Sequence, residues 1–260
     1  MMTSLLTLSL WQGILVIILV ITVPGVIVYL AARKFVGSGV TRQHERVGRL
    51  LFRVSASLLA LLISLSYANE KIAYNKVVDS LEEEASLISS LMIKLKLHQS
   101  EQAETVIKGL TEYVNYTIED KWRDVMSNPY YSKMMGTMVR INIIALGLPE
   151  TNERQITLKN QILNDLDLLT KTMQVRFYST NFHLPYLAYI LGFGLVIVWC
   201  FFSVYKPDHI SITFLTMYNI FLAVVLYFVI TLGNPMVGPL KIRPEPFIIL
   251  QEKGMEKLPL

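Results

Sequence analysis

Cysteine is almost absent from these 260 residues, and the single one, Cys200, lies inside an apolar run. Neither a disulfide framework nor a cysteine zinc site can therefore form within one subunit. The four histidines, His44, His98, His183 and His209, are scattered, with no i,i+4 pair and no glutamate motif beside them, so the usual histidine metal signatures are missing. There is no glycine-rich loop to cradle phosphate and no Gly-x-Ser-x-Gly nucleophile motif. Paired acids such as Glu119 with Asp120, or Asp165 with Asp167, read as solvated helix faces. The chain thus reads as a non-enzyme with no cofactor and no metal. The formal net charge is +4, but no basic cluster is large enough to suggest a nucleic-acid partner.

Charge is scarce too: 17% of residues carry it against 53% that are hydrophobic, and it is missing altogether from residues 1–32, 54–67, 184–205 and 210–240. A hydrocarbon core about 30 Å thick needs roughly 20 helical residues to cross, so the first, third and fourth runs suffice unaided. The second covers only ~21 Å at about 1.5 Å per residue. Polar neighbours must then enter the membrane, either Arg53 and Arg49 at one end or Asn69, Glu70 and Lys71 at the other, and ionisable groups at that depth usually face a cavity or a partner. Arg33 and Lys34 follow the first run rather than precede it, which reads as an anchor and not a cleaved signal. The expected fold is an all-α integral membrane protein with four transmembrane helices and a helical extramembrane bundle inserted between spans 2 and 3. Spans 1 and 2 with a basic connector occupy 1–68, the bundle 69–182, spans 3 and 4 183–233, and a Pro-rich tail 234–260.

The first connector carries Arg33, Lys34, Arg42, Arg46 and Arg49 against one acid, Glu45. Counting basic residues over short loops places it in the cytoplasm and the 69–182 block, with Glu82, Glu83 and Glu84 in a row, outside. The tail, with Lys241, Arg243, Lys253 and Lys257, votes the other way.

Within the block, Val77, Leu81, Ala85, Ile88, Met92 and Leu95 recur at helical steps, so the second span is expected to run unbroken to a long helix ending near His98. A second helix is expected over 103–126, with Val106, Leu110, Tyr113, Val114 and Ile118 on one face, stopped by Asn128 and Pro129. A third is expected over 131–146, ended by Gly147 and Pro149. The last opens at Thr151 with Arg154 beyond it, and its stripe, Ile156, Ile162, Leu163, Leu166, Leu169 and Met173, can pack on the helix from the second span. His183 and Pro185 mark a break before the third span. Such long stripes need partners, so a homo-oligomer is expected.

Three motifs are similar to those of the bacterial membrane proteins of unassigned function described as bestrophin-like. In the tail, Asn234-Pro235-Met236-Val237-Gly238 followed by Pro244-Glu245-Pro246-Phe247 resembles that family's Asn-Pro-Phe-x-Gly and Pro-x-x-Phe signature, with Met236 where Phe is usual. His44-Glu45-Arg46-Val47-Gly48 resembles a His-Asn-x-x-Gly motif before the second span, with Glu45 in place of Asn. Leu81-Glu82-Glu83-Glu84-Ala85 looks like the Val-x-x-Glu-Ala turn of the long helix, with Trp122 a weaker echo. The resemblance implies a multi-pass protein of the bacterial inner (plasma) membrane and, by analogy with bestrophins, a four-span oligomeric channel for small inorganic anions. It also implies helical mass in the cytosol, against the charge count.

At about 100° per residue, Arg53, Ser57, Ala60, Ser64 and Lys71 share one stripe of the second span. Small and hydroxyl residues between two cations suit a narrow anion path. The same residues also suit close helix packing, with Arg53 snorkelling to head groups. Asn234 and Gly238 could shape the mouth of a path, or the Pro-rich tail could strap Phe247 onto the protein. An alternative to the channel is a membrane-anchored interaction, sensor or assembly protein acting through its helical domain.

Overall fold

The computed structural model describes residues 8–36, 41–118, 128–181 and 185–252. Among the described residues every regular element is an α-helix: α1 (Leu10–Val36), α2 (Arg42–His98), α3 (Glu101–Ile118), α4 (Asn128–Leu146), α5 (Glu153–Asn181), α6 (Pro185–Phe202), α7 (His209–Leu232) and α8 (Glu245–Glu252). Three of them, α1, α2 and α7, are long and apolar enough to cross a membrane, and α6 carries a shorter apolar stretch, Tyr189–Phe202. The chain is an integral membrane protein. It divides into two compact units, Met1–Ile72 with His183–Lys241, and Ala73–Phe182 with Ile242–Leu260.

In the first unit α1 packs against α6 and α7. The shared core holds Ile17, Ile21, Tyr29, Leu59, Ile63 and Trp199, with Leu222, Ala223 and Tyr227 from α7. The outer face is as apolar as the inner one, with Trp11, Leu15, Leu19 and Ile27 on α1 and Phe214, Met217 and Phe221 on α7 exposed, as lipid rather than water requires. Gly13 lets α1 approach α7 closely: a β-carbon there would lie 2.6 Å from the Tyr227 hydroxyl. Pro24 lies inside α1 without ending it. An aromatic cluster ties the connector end together. Phe202 meets Tyr29 and Phe52 edge-on, both at 5.4 Å, and lies 5.0 Å from Tyr205. Asp208 caps α7, accepting from the Ser211 amide at 2.7 Å.

The second unit is built from amphipathic stripes. Val77, Leu81, Ile88, Leu91, Met92 and Leu95 of α2 are buried, as are Val106, Leu110 and Tyr113 of α3, Met138, Ile141 and Ala145 of α4, and Ile162, Leu166, Leu169 and Met173 of α5. The long helix α2 does end at His98, where Gln99 takes a left-handed φ of 54° and Ser100 caps α3 through the Ala103 amide at 3.2 Å.

Several boundaries differ from expectation. Asn128 and Pro129 open α4 instead of merely stopping the helix before it, because proline has no donor to lose in a first turn and its φ already suits one. The last helix is capped by Asn152, not Thr151: the Asn152 side chain accepts from the Gln155 amide at 2.8 Å while Gln155 reaches back to the Thr151 amide at 3.0 Å. Ile156 then falls at the start of α5, where it is 40% exposed, and Leu158 and Ile162 take the buried face. The end of the expected 103–126 helix, Trp122 and His183 lie outside the described residues.

Candidate functional site

The span of α2 has two faces. Leu59, Ile63 and Ser66 are buried in the first unit's core, and the Ser66 hydroxyl is spent on the Leu62 carbonyl at 2.6 Å. Arg53, Ser57, Ala60, Ser64 and Lys71 all lie on the opposite, exposed face. The stripe therefore exists as one surface that no helix among the described residues covers. Ser64 donates to the Ala60 carbonyl at 2.9 Å, so its proton is engaged and its lone pairs face outward. Beside Lys71, the Glu70 carboxylate approaches the end of α7, where a β-carbon on Gly233 would lie 2.9 Å from it.

Of the motif residues near the connector, His44 sits in a reciprocal cap with Thr41: the Thr41 amide donates to His44 Nδ1 at 3.4 Å, and the His44 amide donates to the Thr41 hydroxyl at 3.3 Å. Gly48, one turn later, is buried where any β-carbon would collide with Val204 after α6. Arg33 reaches the same place, donating to the carbonyls of Ser203 and Val204 at 3.2 and 3.4 Å. These carbonyls belong to the turn just after α6, so the Arg33 guanidinium pairs backbone groups that lie beyond the helix.

Glu84, singled out from its sequence motif, is fully buried at the centre of the second unit. Arg176 grips it with two bonds, Nε to Oε1 at 2.7 Å and Nη2 to Oε2 at 3.0 Å. The Tyr113 hydroxyl donates to Oε2 at 2.6 Å and accepts from Arg176 Nη2 at 3.1 Å. Burial, reinforced by the Glu84 charge, pushes the Tyr113 hydroxyl well above the usual tyrosine range. Burial alone would favour loss of the Arg176 proton, but the adjacent carboxylate wins and raises that group above its ordinary value.

Neither Arg176 nor the role of Tyr113 was found from sequence, although a signal existed. Arg176 continues the apolar stripe of Leu166, Leu169 and Met173 by a further three residues, and Glu84 stands three after Leu81 and four before Ile88. A charge on each of two stripes that face one another is the mark of a buried pair.

The tail brings its own motif to the same cluster. Asn234 closes the end of α7 by donating to the Ile230 carbonyl at 2.8 Å, Pro235 is buried, and Gly238 adopts a φ of 104° that suits only glycine well. The Pro244 carbonyl accepts from the amides of Phe247 and Ile248, both at 3.1 Å, and so starts α8. Phe247, fully buried, packs 6.3 Å from the Tyr113 ring. Gln251 donates to Asn115 at 3.1 Å. Glu84 and Phe247, far apart in sequence, thus both contact one tyrosine.

Among the described residues no three His, Cys, Asp or Glu side chains converge as a metal site would need. No curated protein and no solved structure is significantly similar to the chain. A family model described as the bestrophin-like domain does match residues 19–247, and the chain belongs to the bestrophin-like family.

Proposed function

We propose that this protein is a homo-oligomeric, non-enzymatic ion channel, selective for small anions, in which the α2 spans of several subunits surround a common path and α6 serves as the fourth membrane crossing. The observation that carries this is the exposed stripe that starts at Arg53 and runs through Ser57, Ala60 and Ser64. In a lone subunit Arg53 would face hydrocarbon, which is costly, whereas around an axis it would face water. The likeness of this family to bestrophins, which are channels, supports the reading by analogy. On this proposal residues 69–182 lie outside the cytoplasm, residues 1–68 and 183–233 form the conducting part, and residues 234–260 tie off the fold.

The test is flux in vesicles holding the purified protein. Arg53→Ala removes an attractive charge and should lower chloride flux with the oligomer intact, and Ser57→Leu should block the lumen. Wild-type protein that conducts nothing, or a Ser57→Leu variant that loses assembly before flux, would refute the path. A second reading draws on α4, where Val139, Ile143 and Leu146 are 53%, 64% and 61% exposed at helical spacing. Such a surface suits a membrane-anchored interaction or assembly protein, the outcome favoured if no flux is found.

A further inference from the structure

The exposed face of α4 carries a pattern that specifies what covers it. On one side of this helix Met134, Met138, Ile141 and Ala145 are buried in the second unit, where α4 packs against α3 and α5. On the other side Ser132, Gly136, Val139, Ile143 and Leu146 are all exposed, so no described element covers them. They stand four, three, four and three residues apart, the alternating step of a seam that packs on another helix. Outside a membrane, a helix with apolar seams on both sides is complete only when the second seam is buried too. Residue size along this seam is graded, from a serine and a glycine at one end to an isoleucine and a leucine at the other. A β-carbon on Gly136 would meet nothing within 4 Å, so the small end is an open notch. A parallel copy of the seam would set glycine on glycine and leucine on leucine, leaving a void at one end and crowding at the other. An antiparallel copy reverses the gradient: with a two-fold axis level with Ile141, Gly136 of one chain opposes Leu146 of the other, and Val139 opposes Ile143. Charge does not oppose this arrangement. The flank nearest that axis carries Arg140, paired with Glu112 at 2.8 Å, and the neutral Asn142. Lys133, further along, lies over the Tyr116 ring at 4.2 Å.

We propose that this face of α4 binds a second copy of the chain, in an isologous contact where two α4 helices pack antiparallel about a two-fold axis. The match of small to large residues is what selects another α4, since the same gradient run backwards fills its own notch. Two Arg140–Glu112 pairs brought together by the axis can exchange partners without net charge. The contact lies within the second unit and stands whether or not the spans conduct.

The test is disulfide formation between purified full-length chains in a Cys200→Ser background, mixed and reconstituted in discs that hold several subunits. Gly136→Cys chains mixed with Leu146→Cys chains should cross-link on mild oxidation, as should Val139→Cys with Ile143→Cys, so either mixture serves should a variant of the other fail to fold. Leu146→Cys chains alone should not, because the axis sets the two copies about 15 Å apart along the helices at about 1.5 Å per residue. Adding Ile143→Glu, at an exposed position, to the Gly136→Cys and Leu146→Cys chains should abolish their cross-link with the helical content of the protein unchanged. Leu146→Cys chains that cross-link to one another and not to Gly136→Cys chains would show a parallel seam and overturn the proposal. Cross-linking that persists with Ile143→Glu would be random collision and overturn it too. So would the absence of any cross-link, and protection of Leu146→Cys from maleimide in discs holding a single chain would then assign the face to the bilayer.

Discussion

Replacing Glu84 by glutamine keeps the shape of the side chain and removes its charge, leaving the Arg176 guanidinium, whose side chain is 2% exposed, without its counter-ion. Breaking a buried, hydrogen-bonded pair by removing one partner costs about 3–5 kcal/mol. Tyr113→Phe removes one bond to the carboxylate and should cost less, about 1.5–3 kcal/mol. Glu84→Leu combined with Arg176→Met removes both charges and should recover most of the loss, because desolvating the pair offsets much of its attraction. Hydrogen exchange of the amides in α2, α3 and α5, measured on the full chain, reports the opening free energy of this unit separately from that of the spans. A Glu84→Gln variant within about 0.5 kcal/mol of the native protein would behave like a surface substitution and refute the account. So would a double variant no better than the sum of its parts.

Gly48→Val should cost about 1–3 kcal/mol through overpacking, seen as a lower midpoint of thermal unfolding, whereas Gly192→Ala, whose β-carbon would meet nothing within 4 Å, should not. Phe247→Ala should release the tail from Tyr113, since truncating a buried phenylalanine costs about 3–5 kcal/mol, and limited proteolysis should then cut after residue 241 faster than in the native chain. For orientation, Gln102→Cys with Cys200→Ser should react with an impermeant thiol reagent on intact cells, and protection until lysis would place the helical unit inside. Gln102 is exposed, and replacing it leaves the Ser100 cap of α3 in place. Alkali should weaken the second unit: unfolded, Tyr113 ionises near 10.0, but folded it keeps its proton. The folded state then binds a proton that the unfolded chain has lost, so stability falls as pH rises from about 10, by at most about 1.4 kcal/mol per pH unit for this group. An alkaline loss equal in the native protein and Tyr113→Phe would refute that assignment.

Much of the fold was legible because its driving pattern is local. The charge-free runs at α1 and α7, the helical period from Val77 to Leu95 and the stop at His98 each follow from spacing and breakers within one segment. Cap identities were less legible. Whether Thr151 or Asn152 starts α5 depends on which oxygen reaches the Gln155 amide, and both residues are good caps. Arg176 escaped notice because a buried charge is unfavourable until its partner is known, and that partner lies 92 positions away.

The sequence by itself determined that this is a helical membrane protein, and placed Arg53, Ser57, Ala60, Ser64 and Lys71 on one stripe, since apolar length and helical period need no tertiary contact. Only the tertiary structure decided which face of α2 the chain covers, because the stripe through Leu59 and Ile63 and the stripe through Ser57 and Ser64 are both compatible with a helix in lipid. It likewise brought Glu84, Tyr113, Arg176 and Phe247 to one point. The physical reason is that pairing a buried charge and docking an aromatic ring are satisfied by residues distant along the chain, and no period within a segment records them.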